Sequence, residues 1–519
     1  MIELAINNAW LVDGTGGPGR RASVGVADGR IVEVATADLP AANVIDAQGE
    51  VLAPGFIDIH SHADFRVESH PRSETQLAQG VTTLVAGNCG HSPFPVVDVD
   101  ALASTSSFLR PELSWNWRDL AGFRDSVAAS GPGVNVALQV GHGALRVAAM
   151  GTADRPPTAS ELEQMCSLLR EAAEQGAVGF STGLIYVPGS YARQDEVEAL
   201  VATAAECGLT YSSHVRNETD GVLGAVEEAI GTARRTGVTL QVSHIKAMGQ
   251  RNHGKVEQVL ELIDQAVAQG VNVGADVYPY TASSTTLASR LPYWALDGGT
   301  AELLRRLADP SQRQLIREEV ATRLAGEIDP AGIVLAGMPP GKFSAAVGSS
   351  ISDLAEEEGW EPAEALLSVL EEHQGAVSII NHAMAESDLE AALRHPLVSV
   401  VSDGWELAAS GDGLSHPRSF GSFARVLGRY VRSKGVLSLE EAVRKMTSLP
   451  ASRMAVGERG VVRPGAIADL VVFNQDTVSD HSTYADPWQL ASGVSTVVLQ
   501  GRVAVRGGVV LDESAGTVL

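Results

Sequence analysis

The chain has 519 residues, 45% of them hydrophobic, with a mean hydropathy of +0.05, which is too long for one ordinary globular domain and too rich in core-forming residues for disorder. A formal net charge of -25 and a pI near 4.9, with no Lys/Arg-rich block to offset them, argue against nucleic acid or an anionic membrane as a partner. Three cysteines (Cys89, Cys166, Cys207) cannot frame a disulfide scaffold, Met1-Ile2-Glu3-Leu4 starts no signal-peptide pattern, and no run reaches the ~18 uncharged apolar residues of a membrane span, so a cytoplasmic protein without a membrane partner is expected.

Residues 1–54 read as short alternating strands punctuated by Gly and Asp, among them Ile2 to Ile6, Ala22 to Val26 and Ile31 to Val34. The same texture returns in Ala468 to Phe473, Val494 to Leu499 and Val509 to Leu511, so residues 1–54 and 455–519 are expected to build one small β domain, a sandwich, from both ends of the chain. Between them, strand-like apolar runs alternate with helical stretches, the pattern of a parallel α/β architecture. The runs are Phe56 to His62, Thr82 to Asn88, Asn135 to His142, Ala177 to Gly183, Thr210 to Arg216, Leu240 to Lys246, Asn272 to Tyr280 and Val398 to Gly404. Eight such runs predict a (β/α)8, TIM-like barrel over residues 55–454. A section rich in helix formers, residues 282–380, interrupts the series before the last strand and reads as a mainly helical insertion over the barrel mouth.

His60 and His62 close the first run two residues apart. On a strand that spacing aims both imidazoles at one spot, which is a chelating arrangement. Cys89 follows the second run, His214 ends the fifth, His244 the sixth and Asp403 the eighth. A barrel presents its chemistry at the C-terminal ends of its strands, and core histidines would have no reason to gather there.

These motifs carry a family resemblance. Pro54-Gly55-Phe56-Ile57-Asp58-Ile59-His60-Ser61-His62, with the later strand-end histidines and final aspartate, resembles the metal-dependent amidohydrolase superfamily. Gly87-Asn88-Cys89-Gly90, Gly179-Phe180-Ser181-Thr182-Gly183-Leu184, Ser243-His244-Ile245-Lys246, Asp276-Val277-Tyr278-Pro279-Tyr280 and His416-Pro417-Arg418 narrow the resemblance to N-acyl-D-amino-acid deacylases, over nearly the whole chain. Many superfamily members bridge two metals with a carboxylated lysine after the fourth strand. This chain has no lysine before Lys246, and in the deacylases a cysteine, here Cys89, takes that part.

The resemblance implies hydrolysis of N-acyl-D-amino acids to a carboxylate and the free D-amino acid. It implies a tight zinc held by Cys89, His214 and His244, and a second, weak position formed by His60, His62 and Asp403 with Cys89 shared. Asp403 would be general base toward a zinc-activated water and then general acid toward the leaving amine. Lys246 and Arg418 would hold the substrate α-carboxylate, with Tyr278 and Ser284 as further hydrogen-bonding positions. Arg290 matches the position where relatives acting on N-acyl-D-glutamate carry an arginine for the side-chain carboxylate; with that match the substrate is acidic, and without it a hydrophobic D-amino acid is an equal reading.

Two other readings compete. A cyclic amidase of the dihydropyrimidinase or dihydroorotase sort shares the fold, but its bridging lysine is missing here. A catalytically dead scaffold typically loses metal ligands, and all six candidates are present. His91, His142 and His382 are read as structural or as groups behind the site residues that hydrogen-bond to them, Ser181 as a packing residue, and Cys166 and Cys207 as small buried hydrophobes.

Overall fold

The computed structural model describes residues 1–106, 109, 112–511 and 515–519. Eight parallel strands form its centre: β1 (Phe56–Asp58), β2 (Val81–Ala86), β3 (Asn135–Gly141), β4 (Gly179–Gly183), β5 (Thr210–His214), β6 (Leu240–Val242), β7 (Val273–Val277) and β8 (Val398–Val400). They pair in sequence order, each with the next, and the helices Ala159–Glu174, Gln194–Glu206, Val222–Thr236 and Lys255–Ala268 pack outside. The fold is a (β/α)8 barrel. Every residue of these strands is buried, as both faces of a covered parallel sheet must be.

Strands β1, β6 and β8 have three residues each, shorter than their apolar runs suggest. His60, His62, His244 and Asp403 therefore lie beyond the ladder. The alternation of a strand does not aim His60 and His62 together, as the spacing predicts; loop geometry does. The seam between β1 and β8 closes through those same loops. Asp403 N donates to His60 O at 2.8 Å, His62 N donates to Gly404 O at 2.8 Å, and the Asp58 carboxylate accepts from Ser402 N at 3.1 Å. The residues that shut the barrel are thus the ones that bear the candidate ligands.

Both ends of the chain enter one nine-stranded sheet, joined where Val51–Pro54 pairs antiparallel with Leu470–Phe473. Its two faces sort by alternation. Leu52, Leu470 and Val472 join a core with Leu4, Ile6 and Val24. Val51, Ala53, Val471 and Phe473 face the main core with Phe56 and Phe423, where Phe56 stacks on Phe423 at 5.8 Å between centroids.

Between β7 and β8, Ile333–Gly337 and Ala282–Thr286 flank Ser378–His382 in a three-stranded antiparallel sheet. Helices Thr300–Ala308, Pro310–Gly326, Ile351–Glu358 and Pro362–Glu372 enclose a separate core containing Leu303, Ile316, Ile351, Leu366 and Ile379. The helices match the composition of this segment; the sheet is a feature that its composition conceals. Among the described residues no helix is long and apolar enough to cross a membrane.

Candidate metal and substrate site

Three site residues have backbones in the left-handed region: Cys89 (φ 54°), His244 (φ 35°) and Asp403 (φ 51°). For a side chain with a Cβ this conformation is strained and persists only where the surroundings enforce it, which is a common mark of functional sites. The enforcement is visible around Cys89. Ser181 Oγ donates to Gly87 O at 2.5 Å and accepts from Gly90 N at 3.0 Å, while Gln139 Nε2 donates to Asn88 Oδ1 at 2.8 Å. Ser181 thus clamps the cysteine turn. A Cβ on Gly183 would lie 1.9 Å from Cys89 O. The turn fills the end of β4, leaving no room there for a long side chain.

Cys89 Sγ lies 3.3 Å from His60 Nε2, 3.3 Å from His244 Nε2 and 3.4 Å from His214 Nδ1. Asp403 Oδ1 is 3.2 Å from His62 Nε2 and 3.5 Å from His60 Nε2. Donor atoms of His60, Cys89, His244 and Asp403 all fall within 4.8 Å of one another, as do those of His214, Glu218 and His244. Around a tetrahedral zinc, with bonds of about 2.0 Å to nitrogen and 2.3 Å to sulfur, neighbouring donors stand about 3.5 Å apart. The observed separations and a mixed thiolate and imidazole set fit that ion. In the second group the place of a cation is taken, because the Lys246 ammonium lies 2.5 Å from Glu218 Oε1 and 2.7 Å from His244 Nδ1.

The electrostatics follow from burial and contact. Burial alone would raise the Cys89 thiol, but the imidazoles of His60, His244 and His214 outweigh it and hold it well below its usual range. Burial opposes charge on His62 and His214, yet Asp403 and Cys89 bring His62 up to about 9, and Glu218 and Cys89 do the same for His214. Asp403, despite burial, is held below the ordinary carboxylate range by Arg418, whose Nη1 donates to its Oδ2 at 2.6 Å.

A pocket opens on this cluster, lined by His62, Cys89, His214, His244 and Asp403 and also by Lys246, Tyr278, Ser284, Arg290 and Arg418. His60, 1% exposed, stands behind it. The predicted residues therefore converge, but their pairing differs from a row of free substrate cations. Lys246 is neutralised by Glu218, and Arg418 by Asp403. Among the described residues only Arg290 of the three enters no ion pair; its guanidinium meets the Ser289 hydroxyl at 3.1 and 3.2 Å. The Tyr278 hydroxyl is buried without a hydrogen-bond partner among the described residues, and burial raises its pKa far enough to keep it a donor.

Two carboxylates escape a reading of spacing alone. Glu218 follows His214 by four residues and meets His214, His244 and Lys246 together. Asp276 accepts from His244 N at 2.7 Å and contacts His60 Nδ1 at 3.2 Å, so it orients two candidate ligands from behind. His142 instead pairs with Glu196 at 2.8 Å beside Arg146, a buried structural trio.

A barrel that gathers a thiolate, imidazoles and a carboxylate in one pocket at its strand ends has the architecture of a metal-dependent hydrolase. The chain matches the Amidohydrolase family model over residues 43–325 and 356–505, and it belongs to that family. It is 37% identical over 501 residues to an N-acyl-D-glutamate deacylase of Alcaligenes xylosoxydans xylosoxydans, covering 96% of this chain and 93% of that one. It is 35% identical to the N-acyl-D-aspartate deacylase of the same organism, covering 100% and 95%. The crystal structure of N-acyl-D-glutamate deacylase from Bordetella bronchiseptica, complexed with zinc and a phosphonate mimic of the tetrahedral intermediate, superimposes with a TM-score of 0.85 at 37% identity, over 100% of this chain and 99% of that one. An L-hydantoinase from Arthrobacter aurescens, at 18% identity and a TM-score of 0.59 over 99% of each chain, shares the fold alone.

Proposed function

We propose that this chain is a zinc-dependent N-acyl-D-amino-acid deacylase, cleaving a linear amide to a carboxylate and a free D-amino acid, with an acidic side chain on the preferred substrate. The observation that carries the reading is the convergence of Cys89, three imidazoles and Asp403 in the pocket that also holds Arg290. Its relatives act on N-acyl-D-glutamate and N-acyl-D-aspartate, and their names also supply the preference for D over L.

Cys89, His214 and His244 would hold the zinc, with His60 and His62 beside Asp403 as a second position. When bound, zinc polarises the scissile carbonyl and makes a water acidic enough to attack it near neutral pH. The remaining work belongs to the side chains. Asp403 takes the proton of the attacking water at its carboxylate and later gives it to the leaving nitrogen. In the free protein Arg418 holds Asp403 far from the basicity this requires. A substrate α-carboxylate that draws the Arg418 guanidinium toward itself weakens that hold and makes Asp403 a better base, so activation comes with binding. Tyr278 donates its hydroxyl to the substrate, Lys246 donates at the carboxylate end the N–H that Glu218 and His244 leave it, and Ser284 lines the same wall. Arg290 receives the side-chain carboxylate.

The small-molecule substrate needs no nucleic acid or membrane, and three free cysteines accord with a cytoplasmic, reducing setting. The test is kcat/KM of the zinc-loaded protein on N-acetyl derivatives of D-glutamate, D-aspartate, D-leucine and L-glutamate. D-acidic substrates should lead and L-glutamate should be refused. Hydrolysis of the L-isomer at a comparable rate, or of none of the four, overturns the proposal.

A further inference from the structure

Beside the catalytic pocket lies a second, solvent-connected cavity, roomier than the pocket itself at about 100 Å³ against about 20 Å³. Three chain segments separate the two spaces. Ile185 and Tyr186 line both. Thr285 faces the pocket and Thr286 the cavity; Arg290 faces the pocket and Ser289 the cavity. The Tyr186 hydroxyl lies 3.3 Å from Thr285 Oγ1, so the partition is one layer of side chains.

The linings differ in kind. The pocket presents histidines, Glu218, Lys246, Arg290, Asp403 and Arg418. Among the described residues the cavity wall carries no Asp, Glu, Lys, Arg or His; it is built from aliphatic side chains such as Val187, Leu296 and Leu303, with small hydroxyls and glycines between them. Such a space favours an uncharged, largely apolar occupant, since a charge there would be desolvated without a partner. A substrate of the proposed reaction has three groups around its amide. The α-carboxylate and an acidic side chain are anionic, and only the acyl chain is apolar.

We propose that this cavity receives the acyl chain, and that the natural substrates are D-amino acids bearing a medium-length aliphatic acyl group rather than acetyl alone. This rests on the deacylase reading and adds the acyl specificity to it. The chain would pass the Ile185–Tyr186 edge, and each methylene buried beyond it adds transition-state binding.

The experiment compares kcat/KM for N-acetyl-D-glutamate, N-octanoyl-D-glutamate and N-acetyl-D-2-aminodecanoate, using the zinc-loaded full chain. Two separate variants, Thr152→Trp and Thr300→Trp, then place an indole in the cavity from a turn and from a helix start, away from the catalytic pocket. The octanoyl substrate should exceed the acetyl one by at least about tenfold in the wild-type chain, and either variant should erase that ratio. Equal or better turnover of the acetyl substrate overturns the acyl assignment while leaving the deacylase reading intact. An octanoyl preference that survives both tryptophans also overturns it, because the chain then binds elsewhere. A preference for the long side chain over the long acyl chain, lost in the variants, gives the cavity to the side chain instead and overturns it. No hydrolysis of any of the three removes the deacylase reading and this inference with it.

Discussion

On the barrel side of the pocket every charge already has a partner: Asp403 with Arg418, Glu218 with Lys246, and the Cys89 thiolate with His60, His214 and His244. On the side built by residues 282–382, Arg290 enters no ion pair among the described residues and meets the neighbouring Ser289 hydroxyl. Matched charges fix geometry at little net field, which suits a metal and an uncharged amide. A half-buried cation outside any ion pair carries a partly unrepaid desolvation cost and draws in an anion. On the proposed function, the difference gives chemistry to one half and side-chain selection to the other.

The sharpest way to break the matched half is Asp403→Asn. With the sulfur and imidazole donors intact, the variant should keep its zinc while kcat/KM falls by about 10²–10⁴, as loss of a general base requires. Zinc content and turnover on the same sample check this; near-normal turnover would remove Asp403 from the mechanism. Glu218→Gln should come next. It leaves the Lys246 ammonium buried without a counter-charge and costs about 3 kcal/mol in denaturant unfolding. Stability equal to wild type would mean that Lys246 finds solvent or another partner.

A smaller effect appears with pH in the zinc-stripped chain. His60, His62 and His214 have raised pKa values, the latter two to about 9, while the Cys89 thiol is lowered across the same range and burial brings the Lys445 ammonium down to about 8. Between pH 6.5 and 9 the fold therefore binds more protons than the unfolded chain. The imidazole contribution is complete below about 6.5 and disappears as pH rises through 9, so Tm should fall over that window. Zinc affinity should rise over it, because those protons must leave. A flat Tm would show that the thiolate and imidazoles do not share charge as described. Smallest of all, Glu406→Gln should raise Tm by about 1–2 °C at pH 8, with a gain that grows as pH rises. Burial holds this carboxyl well above its usual pKa, and its Oε2 has no partner.

The eight barrel strands and the convergence of the strand-end candidates are legible in the sequence because buried parallel strands are continuous apolar runs, and because cysteine and histidine are chemically distinctive where they gather. Glu218 and Asp276 are harder to see, since in a chain with 63 acidic residues nothing local separates a ligand-orienting carboxylate from a solvated one. The sheet formed by Ala282–Thr286, Ile333–Gly337 and Ser378–His382 is hidden for another reason: its strands are short and pair across long helical intervals, so no local period reports it. The aim of His60 and His62 is visible from their spacing but its cause is not, because β1 ends at Asp58 and the seam to β8 sets the loop.

The contrast between the two halves comes down to Arg290. Its most direct test is the kcat/KM ratio of N-acetyl-D-glutamate to N-acetyl-D-leucine in the zinc-loaded wild-type chain and in Arg290→Leu. The ratio should be at least about 10² in the wild type and should fall to near or below one in the variant, with D-leucine turnover retained. A ratio near one in the wild type, or one that Arg290→Leu leaves unchanged, would contradict the account.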